Sequence, residues 1–190
     1  MAAPRFYRVE GYIIGRKPVG EGDRVITIFT REYGKLRLYA QGIRRISSRR
    51  APHLELFNRV RLLIYRGRMM DMIGEAEMVR SSDEIRSDLT RVSIAYYFCE
   101  LIDVLLPERQ EHDDVFELLS VSLDSIPSYA SEKLLIFAGR VSFSLLELLG
   151  FLAKGKEPVA AEIVSYIERI AEKRLKTPKF YRLLTRGVRI

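Results

Sequence analysis

The sequence predicts an α+β protein, with a small five-stranded β-barrel over residues 1–80 followed by an all-α bundle over residues 81–190. Three observations carry that reading. Apolar and polar residues alternate up to Arg80, whereas beyond it apolar residues recur at steps of three and four. Glycine, proline and charged residues cut the first part into short runs, as strands joined by turns require. Charge divides at the same place, with 17 Lys and Arg against 8 Asp and Glu in residues 1–80, 5 against 13 in 81–152, and 10 against 4 in 153–190.

Five runs read as strands: Tyr7 to Arg16, Arg24 to Thr30, Lys35 to Gln41, Arg59 to Arg66, and Met70 to Met78. In the third, Leu36, Leu38 and Ala40 share one face and can be buried, which leaves Lys35, Arg37, Tyr39 and Gln41 on a wet, cationic face. The second and third runs meet at Tyr33-Gly34 as a basic hairpin. The last two meet at the short Gly67-Arg68 turn, while Ile43 to Phe57 is a longer connection rich in Arg and Ser. Five short strands in about eighty residues fit a Greek-key barrel of the OB type.

Ser82 or Asp83 can cap the first helix, whose stripe is Ile85, Leu89, Val92, Tyr96, Cys99, Ile102 and Leu106, and Pro107 ends it. Further helices are expected over Asp113 to Ser125, Ser131 to Leu152 and Val159 to Leu175, with a short one after Pro178. Gly150 lies near the end of the third.

At 190 residues and 47% hydrophobic content the chain can bury an ordinary core. Its one cysteine, Cys99, excludes an intramolecular disulfide and fits a reducing cytoplasm. Residues 1–11 lack an apolar leader, and no uncharged apolar run approaches the roughly 18 residues that span a bilayer, so neither secretion nor membrane insertion is expected. Catalysis is not expected either. His53 and His112 lie in loops without a defining motif, Cys99 falls on an apolar stripe, Asp113-Asp114 suits a helix start, and Gly20 to Gly22 lacks the Gly-Lys-Ser/Thr of a phosphate loop. No cofactor or metal is implied.

The basic barrel points instead to nucleic acid. Arg44, Arg45, Arg49 and Arg50 place four guanidinium groups in the long connection, where they repel one another unless an anion intervenes. Arg16, Lys17, Arg24, Arg31, Lys35 and Arg37 extend the same charge across the strands and their loops, and Tyr39 offers a base a ring to stack on. Phe29, Phe57 and Tyr65 are poorer platforms, since aromatics in a small barrel are more often core. Tyr96, Tyr97 and Phe98 are expected to pack in the helical part or against the barrel. The segregated charge of the middle and the tail is equally compatible with simple solvation of exposed faces.

An ordered set of residues resembles the RecO family of bacterial recombination mediators: Gly20-Glu21, Asp23-Arg24, Thr27 to Thr30, Gly34-Lys35, Ala40, Gly42, Arg44-Arg45, Ser48, Leu56 to Asn58, Tyr65 to Arg68, and Glu75 to Glu77. A looser similarity runs through Asp88-Leu89, Tyr96, Glu100-Leu101, Leu106-Pro107, Leu145 to Gly150, and Leu175 to Phe180. The resemblance implies an OB barrel and a helical domain in a cytoplasmic, nucleoid-associated bacterial protein of DNA repair and recombination. It implies binding of single- and double-stranded DNA, annealing of complementary strands and, with RecR, loading of RecA onto strands coated by single-stranded DNA-binding protein. Many chains of that family carry a four-cysteine zinc element after the segment that here ends at Phe151. This chain has Leu152 to Pro158 there and cannot build that site with one cysteine. The resemblance also implies a helical surface for the acidic, Phe-ended tail of the single-stranded DNA-binding protein. Arg140, beside the apolar Val141 to Leu149, and the basic Arg174, Lys176 and Lys179 are the cations this sequence offers it. Two rival readings are an RNA-binding OB module in translation or RNA metabolism, and a protein adaptor whose basic barrel is incidental.

Overall fold

The computed structural model describes residues 5–153 and 162–177. The chain forms two compact units, one of Met1–Ser82 with Pro107–Phe116 and one of Asp83–Leu106 with Glu117–Ile190. The first unit thus recruits a segment that follows the first long helix, which the sequence division at residue 80 does not include.

In the first unit β1 (Phe6–Val19), β2 (Asp23–Thr30), β3 (Gly34–Ala40), β4 (Arg59–Tyr65) and β5 (Met72–Arg80) close into a barrel in the order β1-β2-β3-β5-β4. The pairings are antiparallel except β3 with β5, where Tyr39 lies opposite Met72. One strand closes the ring. Phe6 to Tyr12 of β1 pair with β4, and Gly11 to Val19 pair with β2, with a bulge between Ile13 and Gly15. Gly11 must be glycine, because a Cβ there would stand 2.2 Å from the Phe29 carbonyl oxygen. Ile13, Ile26, Ile28, Leu38, Val60, Leu62 and Ile64 fill the interior with no exposed surface. The alternation in Leu36, Leu38 and Ala40 is as the sequence predicts.

Between β4 and β5 the sequence predicts a tight turn at Gly67-Arg68, but the connection runs over Arg66 to Asp71 and β5 starts at Met72. Asp71 is the reason. Its carboxylate, 6% exposed with its residue, accepts hydrogen bonds from the Tyr7 hydroxyl (2.7 Å), Arg109 Nη2 (2.9 Å) and the Gly67 backbone N–H (3.1 Å), while its carbonyl accepts from Tyr39 N–H (2.8 Å). Burial by itself would raise the Asp71 pKa, but the bonds from Tyr7, Arg109 and Gly67 outweigh it and hold the carboxyl below its ordinary value. Burial and the Asp71 carboxylate push Tyr7 up to about 12.

The returning segment pairs along the edge of β3 and ends with Phe116 on the outer face of β1 and β2. Lys35 forms a bridge with Glu108, its carbonyl accepts from Arg109 N–H at 2.9 Å, and a Cβ on Gly34 would meet the Gln110 carbonyl oxygen at 1.8 Å. Phe116 closes the cover against Tyr12 and Phe29, with ring centroids 5.8 and 6.0 Å away. Lys35 is therefore not on a wet face: it is 3% exposed, because chain more than seventy residues away covers it.

The second unit contains α1 (Asp83–Arg86), α2 (Leu89–Leu105), most of α3 (Asp113–Ser125), α4 (Leu134–Leu148) and α5 (Ile163–Ile170). The single helix expected from Ser82 or Asp83 to Leu106 is broken, because the Asp88 carboxylate accepts from Arg91 N–H at 2.8 Å and starts a new helix. The expected stripe is buried at Ile85, Cys99, Ile102 and Leu106 but fails at Leu89 and Tyr96, which are exposed, and burial extends instead to Ile94, Ala95, Tyr97, Phe98 and Leu101. A helix apolar nearly all round gives periodicity little to select. Tyr97 donates to Ser142 Oγ at 2.9 Å, which in turn donates to the Ala138 carbonyl. Residues 131–133 form a 3-10 turn before α4, and Gly150, at φ +75, terminates it. The helix expected from Val159 is seen only as α5, since residues 154–161 lie outside the described ones, as does the helix expected after Pro178.

Asp71→Ala should lower the unfolding free energy by about 2 to 4 kcal/mol, as it strands the buried Tyr7 hydroxyl and unpairs Arg109. Arg109→Gln should cost about 1 kcal/mol or less, because the Arg109 side chain is 55% exposed. The folded pKa of Asp71 lies below the unfolded value of 3.8, so its contribution is complete above that pH and is lost as pH falls through the folded value. Denaturation followed as a function of pH should therefore show a shallower acid decline in Asp71→Ala than in wild type.

Candidate nucleic-acid interface

Because residues 108–116 cover the Phe29 and Lys35 end of the β2–β3 face, the open part is the opposite end, where Val25 pairs with Tyr39 and the β1–β2 turn lies. The arginine-rich connection starts there. Arg44 N–H donates to the Gly22 carbonyl (2.9 Å) and Arg44 Nη1 to the Gly20 carbonyl (3.2 Å), which fastens the connection to the β1–β2 turn. Gly20 and Gly42, at φ +56 and +65, supply the left-handed turns that this route needs.

Tyr39 is half-buried, and its hydroxyl donates to the Asp23 carboxylate, whose other oxygen accepts from Gly42 N–H at 2.7 Å. The Gly42 and Tyr39 bonds hold Asp23 below the usual carboxylate range, and the bond to Asp23 raises Tyr39. The ring is thereby anchored by its hydroxyl while remaining partly open to solvent.

Arg44, Arg45 and Arg49 are exposed, and Arg45, Arg49, Ser47 and Ser48 share with Gln41, Gly42 and Arg50 the lining of a hollow of about 400 Å³. A second hollow of about 710 Å³ lies against Glu21, Gly22, Arg44, Arg45, Ile46 and Ser47. Backbone turns, hydroxyls and guanidinium groups around open hollows suit phosphate oxygens.

The other cations predicted from the sequence divide. Lys17 is exposed at the same end, in register with Val25. Arg24 is half-buried at the rim, opposite Ala40 and in phase with the inward-facing Ile26. Arg16 is half-buried and ion-paired with Glu55, and Arg37 pairs with Glu108 at 3.1 Å. Arg31 stands 5.2 Å over the Phe116 ring, at the far end of β2 and about 23 Å along the strand from Arg24 at 3.3 Å per residue. Arg50 is a strut. Its Nη1 donates to the carbonyls of Ile73 (2.5 Å) and Gly74 (3.3 Å), and its Nη2 to that of Gln41 (2.7 Å), so it ties the connection to β5. Lys35 is thus corrected from a wet face to a covered position, whereas Arg31 stands at the far end of β2 and Arg50 is engaged with backbone carbonyls beside the hollow.

In the second unit Arg140 is exposed on α4. Arg174 and Lys176 are exposed after α5, where Glu100 of α2 accepts from the Lys176 and Thr177 N–H groups at 2.8 and 2.9 Å. Lys179 lies outside the described residues. Cys99 is buried, and desolvation drives its thiol pKa far upward. Among the described residues no group of three or more His, Cys, Asp and Glu side chains could hold a metal ion, and no helix is long and apolar enough to cross a membrane.

Residues 1–82 match the family description "Recombination protein O N terminal" and residues 86–157 match "Recombination protein O C terminal". The chain is 37% identical over 147 residues to the DNA repair protein RecO of Symbiobacterium thermophilum, covering 76% of this chain and 57% of that one. It is 35% identical to the protein of that name from Roseiflexus, covering 77% and 51%, and 31% identical to that of Gloeobacter violaceus, covering 84% and 64%. The chain therefore matches between half and two thirds of the length of these relatives.

Arg50→Ala should destabilise the first unit by about 2 kcal/mol through the loss of charge-assisted bonds to three carbonyls. Arg49→Ala should stay within about 0.5 kcal/mol of wild type. Chemical denaturation of both variants checks the assignment, and equal stabilities would return Arg50 to the surface group.

Proposed function

The chain belongs to the recombination protein O family, and from that premise we propose that it is a mediator of recombinational DNA repair in the bacterial cytoplasm, associated with the nucleoid. In this reading it binds single- and double-stranded DNA, anneals complementary strands and, with RecR, promotes RecA loading onto strands coated by single-stranded DNA-binding protein. The observation that best supports it is the open end of the barrel, where Lys17, Arg44, Arg45 and Arg49 are exposed and the partly open ring of Tyr39 is anchored by its hydroxyl. Phosphates meet cations there and a base meets a ring, while base edges stay free to pair. Annealing asks for little else: cancelling the repulsion between two phosphate chains lets complementarity do the rest, with no covalent step.

Binding is expected to be sequence-tolerant and salt-sensitive. If Lys17, Arg24, Arg44, Arg45 and Arg49 each neutralise one phosphate of a single strand, log affinity falls with log salt at a slope of about −3.5. Replacing Arg44, Arg45 and Arg49 by Gln should flatten it to about −1.4, and Tyr39→Ala should weaken binding by roughly 1 to 3 kcal/mol. Fluorescence anisotropy across a salt series measures both, and an annealing assay on strands coated with single-stranded DNA-binding protein tests the wider role. A slope near zero in wild type would defeat the reading.

For the acidic, Phe-ended tail of single-stranded DNA-binding protein we propose the helical unit, with Arg140 facing its carboxylates beside the apolar surface of α4, where Leu135, Ile136 and Leu148 are exposed. The segment bearing Arg174, Lys176 and Lys179 adds positive charge. Titration of a labelled tail peptide should show weaker binding to Arg140→Ala and to a peptide without its terminal Phe. Equal binding in all three cases would remove this surface.

A further inference from the structure

One register row crosses the whole barrel. Lys17 lies opposite Val25, Val25 opposite Tyr39, Tyr39 opposite Met72, Met72 opposite Tyr65, and Tyr65 opposite Phe6. Tyr39, Met72, Tyr65 and Phe6 occupy neighbouring strands, and Met72, Tyr65 and Phe6 are 38%, 47% and 52% exposed. Residues in register on adjacent strands are about 4.8 Å apart, so the row winds some 14 Å round the barrel wall from Tyr39 to Phe6, over three of the ring's five strand steps. Exposed aromatics side by side on a small barrel are costly to leave wet unless something covers them.

The rings are set as surfaces. A Cβ on Gly74 would lie 2.3 Å from Tyr65 Cε2, so the Tyr65 ring lies down over the glycine and leaves its other side toward solvent. Phe6 meets it edge-on, with centroids 6.4 Å apart. The carbonyl of the same Gly74 accepts from Arg50, which joins this part of the sheet to the arginine-rich connection. Exposed cations stand at the far end of the row: Arg68 lies in the β4–β5 connection, and the Arg5 carbonyl accepts from Arg66 N–H at 3.0 Å. The carboxylates beside the row are already engaged, Asp23 by Tyr39 and Gly42 and Asp71 by Tyr7, Gly67 and Arg109, while on later rows Glu75 is opposite Leu63 and Glu10 and Glu77 engage Arg61.

We infer that this row is a continuation of the DNA track, on which a single strand leaving Tyr39 stacks bases on Tyr65 and Phe6 and places phosphates near Arg5 and Arg68. The inference rests on the DNA-binding reading above and adds residues of β1, β4 and β5 to it. Unspecific stacking on rings, with cations beside them, is how a barrel holds a strand without reading its sequence.

The test is binding of oligo-dT of about 16 nucleotides, the upper site size of one OB fold, to wild type, Phe6→Leu/Tyr65→Leu and Tyr65→Phe. Leucine keeps the row apolar and removes the stacking face, and thermal melting verifies that the double variant is folded. The double variant should bind at least fivefold more weakly with an unchanged salt slope, since each stacked base is worth roughly fivefold to 150-fold. Tyr65→Phe should bind as wild type does, whereas Arg5→Gln/Arg68→Gln should lose slope. If wild type and the Arg44, Arg45 and Arg49 variant behave as proposed but Phe6→Leu/Tyr65→Leu binds like wild type, the extension is overturned and the row is a face for another protein. If wild type binds no oligonucleotide, the extension falls together with the reading beneath it.

Discussion

A single buried carboxylate gathers the parts of the barrel that matter for its surface. Through its side chain and carbonyl Asp71 engages Tyr7 on β1, Gly67 in the β4–β5 connection, Arg109 in the returning segment and Tyr39 on β3. The last contact is at the one parallel pairing of the barrel, where β3 and β5 meet at Tyr39 and Met72. A parallel contact between strands remote in sequence has no tight turn to set its register. Here a hydrogen-bonded acid sets it, and the aromatic row can cross from β3 to β5 because the two strands are held at that level. The net charge of the cluster is small, since Arg109 balances Asp71, so its buried polar groups are satisfied rather than merely tolerated.

The same returning segment decides which part of the outer face is available. By covering Phe29 and Lys35 it dries one end of the β2–β3 sheet and leaves the turn-bearing end open. Charge is divided along the same line. At the covered end Arg31 lies over Phe116 and Arg37 meets Glu108, whereas Arg44, Arg45 and Arg49 stand exposed at the open end. A fold with 17 cations in its first eighty residues thus presents them unevenly, and placement rather than total charge defines the candidate surface.

Local pattern made much of this legible. Alternation in β3 identified Leu36, Leu38 and Ala40 as core, the Asp113-Asp114 pair marked the start of α3, and the arginine-rich connection stood out by composition alone. What escaped the sequence depends on distant chain. Lys35 alternates like a surface residue and is buried only because Glu108 and its neighbours return to it. Arg50 resembles Arg49 in every local respect and differs because the carbonyls of Ile73 and Gly74 are within its reach. Tyr65 read as core, yet a glycine on the neighbouring strand lets its ring lie flat on the outside. The break before α2 was visible in principle as Asp88 three residues before Arg91, but the apolar run on both sides masked it.

Gly34 has a further consequence, for the order in which the barrel can be completed. Its hydrogen in place of a side chain admits the Gln110 carbonyl, a neighbour 76 residues later in the chain. During synthesis all five strands have been made by Arg80, yet their cover is still missing until α2 has followed. Phe29 must wait for Phe116 and Asp71 for Arg109, so the nascent barrel carries an apolar flank and an unbalanced acid while the helix is being made. Contacts of such long separation are slow to form and leave apolar surface open to the wrong neighbours meanwhile. The helix inserted between barrel and cover therefore also works as a delay, and a piece of the chain cut at residue 82 contains every strand of the barrel but not the finished one.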